Sequence, residues 1–202
     1  MKKTAQNSFL IFLPKKDFNE EEFIIVKRRL LKSGKQVFIT SDDHFACTGS
    51  KGMKVKSDTS FYNINVNNFS ALILIGGAGS RAYWKNDALH KIIKKFSDAK
   101  KVIAAICSSP ITLAKAGILQ NKKASCNSED KMELINSGTN YQDRNVVADE
   151  NIRAADDGHS ALQFAEAVLH LTKWFFRSMI ETIKKYCNSL TEYSRYKTRE
   201  VK

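Results

Sequence analysis

Cys107 stands where a short buried strand has to turn sharply into a helix, and a thiol in that position can serve as a nucleophile. Ahead of it, Lys101-Val102-Ile103-Ala104-Ala105-Ile106 is an apolar run suited to a parallel strand. Behind it, Ser108-Ser109-Pro110 leads into Ile111-Thr112-Leu113-Ala114-Lys115-Ala116-Gly117, a helix closed by glycine. Pro110 suits the first helical turn, where its missing N–H is not needed. Free backbone N–H groups and the positive end of the helix dipole would face the sulfur and favour thiolate over thiol near neutral pH. The same local pattern also fits a structural cysteine buried at a strand end, because free cysteines are among the most buried residues.

Such a thiol needs a scaffold, and the chain alternates strand and helix almost throughout. Phe9 to Leu13 is strand-like and ends at Pro14. From Glu20 to Lys32, apolar residues at Phe23, Ile24, Val26, Leu30 and Leu31 form a helical stripe closed by Gly34. Gln36 to Thr40 is a second strand. Ser41 to Phe69 is rich in Asn, Ser and Gly, with short β-like pieces such as Met53-Lys54-Val55, and reads as a hairpin or excursion. Ala71-Leu72-Ile73-Leu74-Ile75 is a third strand, running into Gly76-Gly77-Ala78-Gly79. Asp87 to Phe96 and Glu129 to Ser137 read as helices. Val146-Val147-Ala148 and Ile152-Arg153-Ala154 read as a hairpin turning at Asp149-Glu150-Asn151. This order predicts an α/β fold, a mostly parallel sheet covered on both faces. Ligands in such sheets bind beyond the carboxyl ends of the strands, where Gly76-Gly77 and Cys107 would both lie.

The 202 residues suffice for one α/β domain, assigned to residues 1–172, with a helical extension over residues 173–202. After Gly158 no Gly or Pro interrupts a helical stripe running through Ala165, Val168, Leu169, Trp174, Phe175, Met179 and Ile183 to Leu190. From Lys173 onward it carries eight Lys/Arg against three Glu, a basic amphipathic segment expected to dock on the domain or on a second subunit. A basic helix lying on an anionic membrane is the alternative. The net charge of +12 invites a nucleic-acid reading, but 25 of the 33 basic residues are scattered lysines, so no specific nucleic-acid site is expected. No apolar stretch is long enough to span a membrane, and Phe9 to Leu13 is too short for a signal peptide, which points to a cytoplasmic protein. Cys47, Cys107, Cys126 and Cys187 lack C-x-x-C spacing and no His cluster accompanies them, so neither a zinc site nor a disulfide framework is expected.

Ala104-Ala105-Ile106-Cys107-Ser108-Ser109-Pro110 resembles the nucleophile elbow of the DJ-1/PfpI superfamily. Ala71 to Gly77 is similar to the strand and Gly-Gly turn that precede that elbow. Lys115-Ala116-Gly117-Ile118-Leu119 matches its continuation. Asp149-Glu150-Asn151, Ala155-Asp156-Asp157-Gly158 and Leu162-Gln163-Phe164-Ala165 resemble its closing hairpin and final helix. The resemblance covers roughly Ser8 to Leu171 and implies a flavodoxin-like three-layer sandwich. It also implies a glutamate against the thiol, which falls at Glu22 and leaves Glu20 and Glu21 as ordinary first-turn carboxylates. A carboxyl buried beside a thiolate would keep its proton and donate it to sulfur in a hydrogen bond. The backbone N–H groups of Gly77 and Ser108 would form an oxyanion pocket.

The chain departs from the family pattern at several places. Ser108 stands where protease-like members carry His, which disfavours peptide hydrolysis. Ser109 replaces a glycine and would crowd the elbow, and Gly158-His159 stands for the usual Gly-Pro. A family position near the thiol, often His or Tyr, falls at Cys126 or at Ser125. Cys126 there would capture an oxidised Cys107 as a disulfide. Of His44, His90, His159 and His170, only His159 borders the expected pocket, as a candidate acid–base group; His90 and His170 are expected on the surface.

The function implied is a cysteine-dependent stress protein acting on small reactive carbonyls by glyoxalase- or deglycase-type chemistry, needing neither metal nor organic cofactor. A redox sensor or holdase chaperone acting on client proteins is the alternative, and an intracellular cysteine peptidase a third. The resemblance also implies a homodimer.

Overall fold

The computed structural model describes residues 7–42, 46–173 and 181. The order of elements is β1 (Ser8–Phe12), β2 (Lys16–Phe18), α1 (Glu20–Lys32), β3 (Gln36–Ser41), β4 (Ala46–Gly49), β5 (Lys54–Lys56), β6 (Thr59–Ser60) and β7 (Ala71–Leu74). Then come α2 (Asp87–Asp98), β8 (Val102–Ile106), α3 (Pro110–Lys115), β9 (Lys123–Ala124), α4 (Lys131–Asn136), β10 (Asn140–Tyr141), β11 (Val146–Asp149) and β12 (Ile152–Ala155). A final helix, α5, covers residues 161–173. His44, Cys187 and almost all of the C-terminal extension lie outside the described residues.

Seven strands form the main sheet in the order β11-β12-β8-β7-β1-β3-β6. Every pairing is parallel except β11 with β12. Side chains alternate across it, as strand geometry demands. Leu10, Phe12, Leu72, Leu74 and Ile103 pack under α2 and α3, against Leu89, Ile93, Phe96 and Leu113. Phe9, Ile11, Ile73, Ala104 and Ile106 pack on the other face, against Phe23, Val26 and Leu30 of α1 and Phe164 and Val168 of α5. The result is the three-layer, flavodoxin-like arrangement the sequence predicts. The chain leaves β1 for β3 on one side and returns to β7 on the other, so the sheet's switch point lies between β1 and β7.

Two regions differ from the sequence reading. The excursion after β3 contains the expected hairpin, β4–β5, but β2 unexpectedly joins it in a separate three-stranded sheet. Glu20, expected to be an ordinary first-turn carboxylate, anchors this sheet: its Oε1 accepts the N–H groups of Lys51 and Met53, each at 2.8 Å. The hairpin turn is thereby tied to the start of α1. Glu20→Ala removes both charge-assisted bonds and is expected to cost about 2 kcal/mol in urea denaturation. The helix expected from Glu129 to Ser137 begins as a 3-10 turn, Ser128–Asp130, and becomes α-helical only at Lys131. Among the described residues, no helix is long and apolar enough to cross a membrane.

Candidate active site

Three strand ends converge at the switch point, each delivering one part of a site. At the end of β8, Cys107 adopts φ 63°, the left-handed region that non-glycine residues enter only when their surroundings hold them there. The holders are visible. Cys107 N–H donates to Ala155 O at 3.0 Å, and the Ser109 hydroxyl donates to Ile75 O at 2.8 Å. Ser109 was expected to crowd the elbow; it instead ties the elbow to the end of β7. The Trp84 indole N–H donates to Ser108 O at 2.9 Å, and Pro110 starts α3 as expected.

Beyond β1, α1 starts at its cap Asn19, whose side chain accepts the N–H groups of Glu21 and Glu22 at 3.1 and 3.2 Å. The first turn of α1 then directs Glu22 inward, where it is fully buried. Glu22 Oε2 accepts the Gly76 N–H at 2.9 Å, while Oε1 has no hydrogen-bond partner of ordinary geometry. Gly76, after β7, is the hinge of the arrangement. A Cβ there would lie 2.5 Å from Cys107 Cβ and 3.0 Å from Glu22 Oε2, so thiol and carboxyl flank one small gap. Gly77 has φ 105° and passes so close to the chain at Asp17 and Asn19 that a side chain would strike backbone at 2.4 Å. Gly76→Ala forces its methyl against Cys107 Cβ and Ile106 O, neither of which can yield. It is expected to cost about 3 kcal/mol in urea denaturation and about 10²-fold in turnover. Gly117→Ala has open space around its Cβ but sits at φ 82°, so it strains the backbone away from the pocket: it should cost about 1 kcal/mol and leave turnover unchanged.

The electrostatics follow from burial. Glu22 is pushed up to about 7, first by burial, against the pull of the Gly76 N–H and the Cys107 thiol. The charge of Asp157 pushes in the same direction as burial. Cys107, 8 % exposed, is pushed up to about 11, first by burial and then by the charge of Glu22. The backbone N–H groups of Gly77 and Ser108 act the other way and favour the thiolate. The sequence reading expected those N–H groups to make the thiolate the resting form; burial and Glu22 oppose them. That repulsion exists only while Glu22 is ionised. The site therefore accommodates one negative charge, not two, and the two groups titrate as a pair.

The remaining candidates are placed as follows. Ser125 and Cys126 are both buried, but the Ser125 hydroxyl is committed to Ala154 O at 3.2 Å. Cys126 Sγ donates to Asn127 O at 3.3 Å, and burial, then Asp130 and Cys107, push its thiol up to about 12. His159 is exposed in a 3-10 turn, and its N–H donates to Asp157 Oδ1 at 2.8 Å. Its ring makes no hydrogen bond to Cys107 or Glu22; its neighbour Gly158 is what approaches Glu22. His90, expected on the surface, is half-buried, with Nε2 2.9 Å from Trp84 O, while His170 is exposed as expected. Sequence reasoning missed Asn127, whose Nδ2 donates to Cys107 Sγ at 3.8 Å. Its position before Ser128-Glu129-Asp130 reads only as a helix cap. Among the described residues, no cluster of three or more His, Cys, Asp or Glu is placed to hold a metal ion.

This geometry can be set beside that of known proteins. The chain is 33% identical over 142 residues to the deglycase PfpI of Pyrococcus furiosus, covering 70% of this chain and 86% of that protein. It is 27% identical over 161 residues to the glutathione-independent glyoxalase DJR-1.2 of Caenorhabditis elegans, covering 80% and 86% respectively. Its fold superposes on the crystal structure of a ThiJ/PfpI domain protein from Brachyspira murdochii with a TM-score of 0.81 and 26% identity, over 83% of this chain and 96% of that one. The sequence pattern of one family fits residues 7–171, a span that takes in every strand of the sheet and the whole elbow, and by that fit the chain belongs to the DJ-1/PfpI family.

Proposed function

We propose that the protein is a cysteine-dependent enzyme acting on small reactive carbonyls, with glyoxalase- or deglycase-type chemistry carried by Cys107 and Glu22. The observation that supports this most is the meeting of a strained cysteine and a fully buried carboxyl over Gly76. Relatives named as a deglycase and a glyoxalase point the same way. In a 2-oxoaldehyde, Cys107 Sγ attacks the aldehyde carbon while its proton passes to Glu22. The oxyanion formed is held by the Gly77 and Ser108 N–H groups. Glu22 returns its proton to that oxyanion. Ionised again, it carries the proton of the sulfur-bearing carbon to the neighbouring carbon while the new hydroxyl's proton passes to the second oxygen. This leaves a thioester that water hydrolyses to a 2-hydroxy acid and the free thiol. Incubation with methylglyoxal is expected to yield lactate at a rate proportional to enzyme. Absence of lactate at any pH between 6 and 9 would sink this reading.

The alternative is a redox sensor, favoured by one observation: Cys126 is buried directly before Asn127, whose backbone N–H donates to Cys107 O at 2.9 Å. Peroxide would oxidise Cys107 to a sulfenic acid, and Cys126 would displace water to close a disulfide. Peptide mass spectrometry after mild peroxide reads that crosslink directly. Peptidase action remains disfavoured by Ser108, and casein hydrolysis lost on replacing Cys107 would revive it. Family membership also supports a homodimer and a cytoplasmic location, the first checked by light scattering against the 22.8 kDa chain.

A further inference from the structure

We propose that Ser109 is a positioning residue, its hydroxyl setting the separation of the two segments that carry the Gly77 and Ser108 N–H groups and so the shape of the oxyanion pocket. The β7–β8 ladder ends where Leu74 lies opposite Ala105, and Gly77 and Ser108 each follow three residues beyond that pair. Past it, backbone bonds lead away from the gap between the two segments. Ile75 N–H donates to Phe12 O of β1 at 3.2 Å, and Cys107 N–H donates to Ala155 O of β12 at 3.0 Å. Gly76 N–H goes to Glu22 Oε2 at 2.9 Å. Side chains bridge the gap instead. The Ser109 hydroxyl, on a residue 1 % exposed, donates to Ile75 O at 2.8 Å. The Trp84 indole N–H, from the segment after Gly77, donates to Ser108 O at 2.9 Å.

Ser109 gives up the usual work of a serine in its place. It is the N-cap of α3, where a serine oxygen commonly accepts a helix N–H, yet its backbone is αR (φ −77°, ψ −23°) and its side chain makes no cap bond. The hydroxyl reaches back across the elbow, a bond that the glycine of the family pattern could not make. The inference rests on the carbonyl-addition reading for its effect on turnover, but not for its effect on the thiol. Oxyanion donors act on charge that appears during the reaction, so a change in their spacing lowers kcat and leaves KM nearly unchanged. The same N–H groups favour the thiolate before any substrate arrives, so looser spacing also slows the thiol's own reactions.

The test uses Ser109→Ala and Ser109→Gly. Both lose the hydroxyl, and the glycine variant, with the looser backbone, should be the less stable of the two in urea. Alkylation of Cys107 by iodoacetamide at neutral pH, followed by peptide mass spectrometry, should slow about five-fold in both variants. For methylglyoxal, kcat should fall about 10-fold in both, with KM within about two-fold of the wild-type value. Equal losses in two variants of unequal stability tie the effect to the hydroxyl. An unchanged alkylation rate, or slowing in only one variant, would overturn the assignment. So would an unchanged kcat, or a loss carried by KM, where the wild-type chain makes lactate. Slower alkylation in both variants of a chain that makes no lactate would bring down the turnover reading and leave Ser109 standing.

Discussion

Cys107→Ala is expected to remove lactate formation from methylglyoxal altogether, a fall of about 10⁵-fold or more, with the chain still folded. The size follows from the role. Every other group in the pocket acts on a carbon that sulfur has already captured, so without the sulfur none has an intermediate to stabilise. Folding should survive because alanine keeps the Cβ and the backbone bond to Ala155 O, and the removed atom fills a gap bordering the pocket. Cys107→Ser separates nucleophilicity from shape: the hydroxyl fits but is a far weaker nucleophile, and turnover should stay at background. Substantial activity in either variant would assign the chemistry elsewhere.

Glu22→Gln should cost about 10³-fold in kcat while changing KM little, because the carboxyl is asked to move protons rather than to bind. The pH profile gives the sharper signature. In the wild-type chain kcat/KM should rise with pH through about 7, where the pair gives up its first proton, and this limb should vanish in the glutamine variant. Stability should run the opposite way. Glu22 binds its proton more tightly folded, at about 7, than unfolded, at 4.5, so the native state is favoured below 4.5 and loses that advantage as pH rises to 7. The loss amounts to roughly 3 kcal/mol across that window. Urea denaturation at both ends measures it, and Glu22→Gln should flatten the slope. A retained pH 7 limb in kcat/KM would show that another group supplies the base.

Much of this architecture can be read from sequence because local rules agree with one another. The helix Glu20–Lys32 and the strand Val102–Ile106 fall where capping residues and apolar runs place them. The elbow, the Gly-Gly turn and Glu22 are likewise legible, the last only through the family pattern, since three consecutive glutamates look alike from outside. What stays hidden depends on partners distant in the chain. β2 is a three-residue strand with a single apolar residue, Phe18, too short for its pairing with β4 to leave a periodicity to find. Glu20 anchors amides some thirty residues away, and nothing near it announces them. Asn127 reads as a cap because it is one; that its other end meets Cys107 follows from the path of the loop. The charge balance of the pair is hidden too, because burial is a property of the whole fold and not of the motif.

The bond from Cys107 N–H to Ala155 O also bears on how the protein is made. A ribosome delivers the cysteine well before it delivers Ala155, so a nascent chain carries the sulfur without the lock that sets its angle. Glu22 and Gly76 are present by then, yet the elbow cannot be held until the last parallel strand slots in beside β8. The arrangement of thiol, carboxyl and backbone amides described above thus exists only once the sheet is complete.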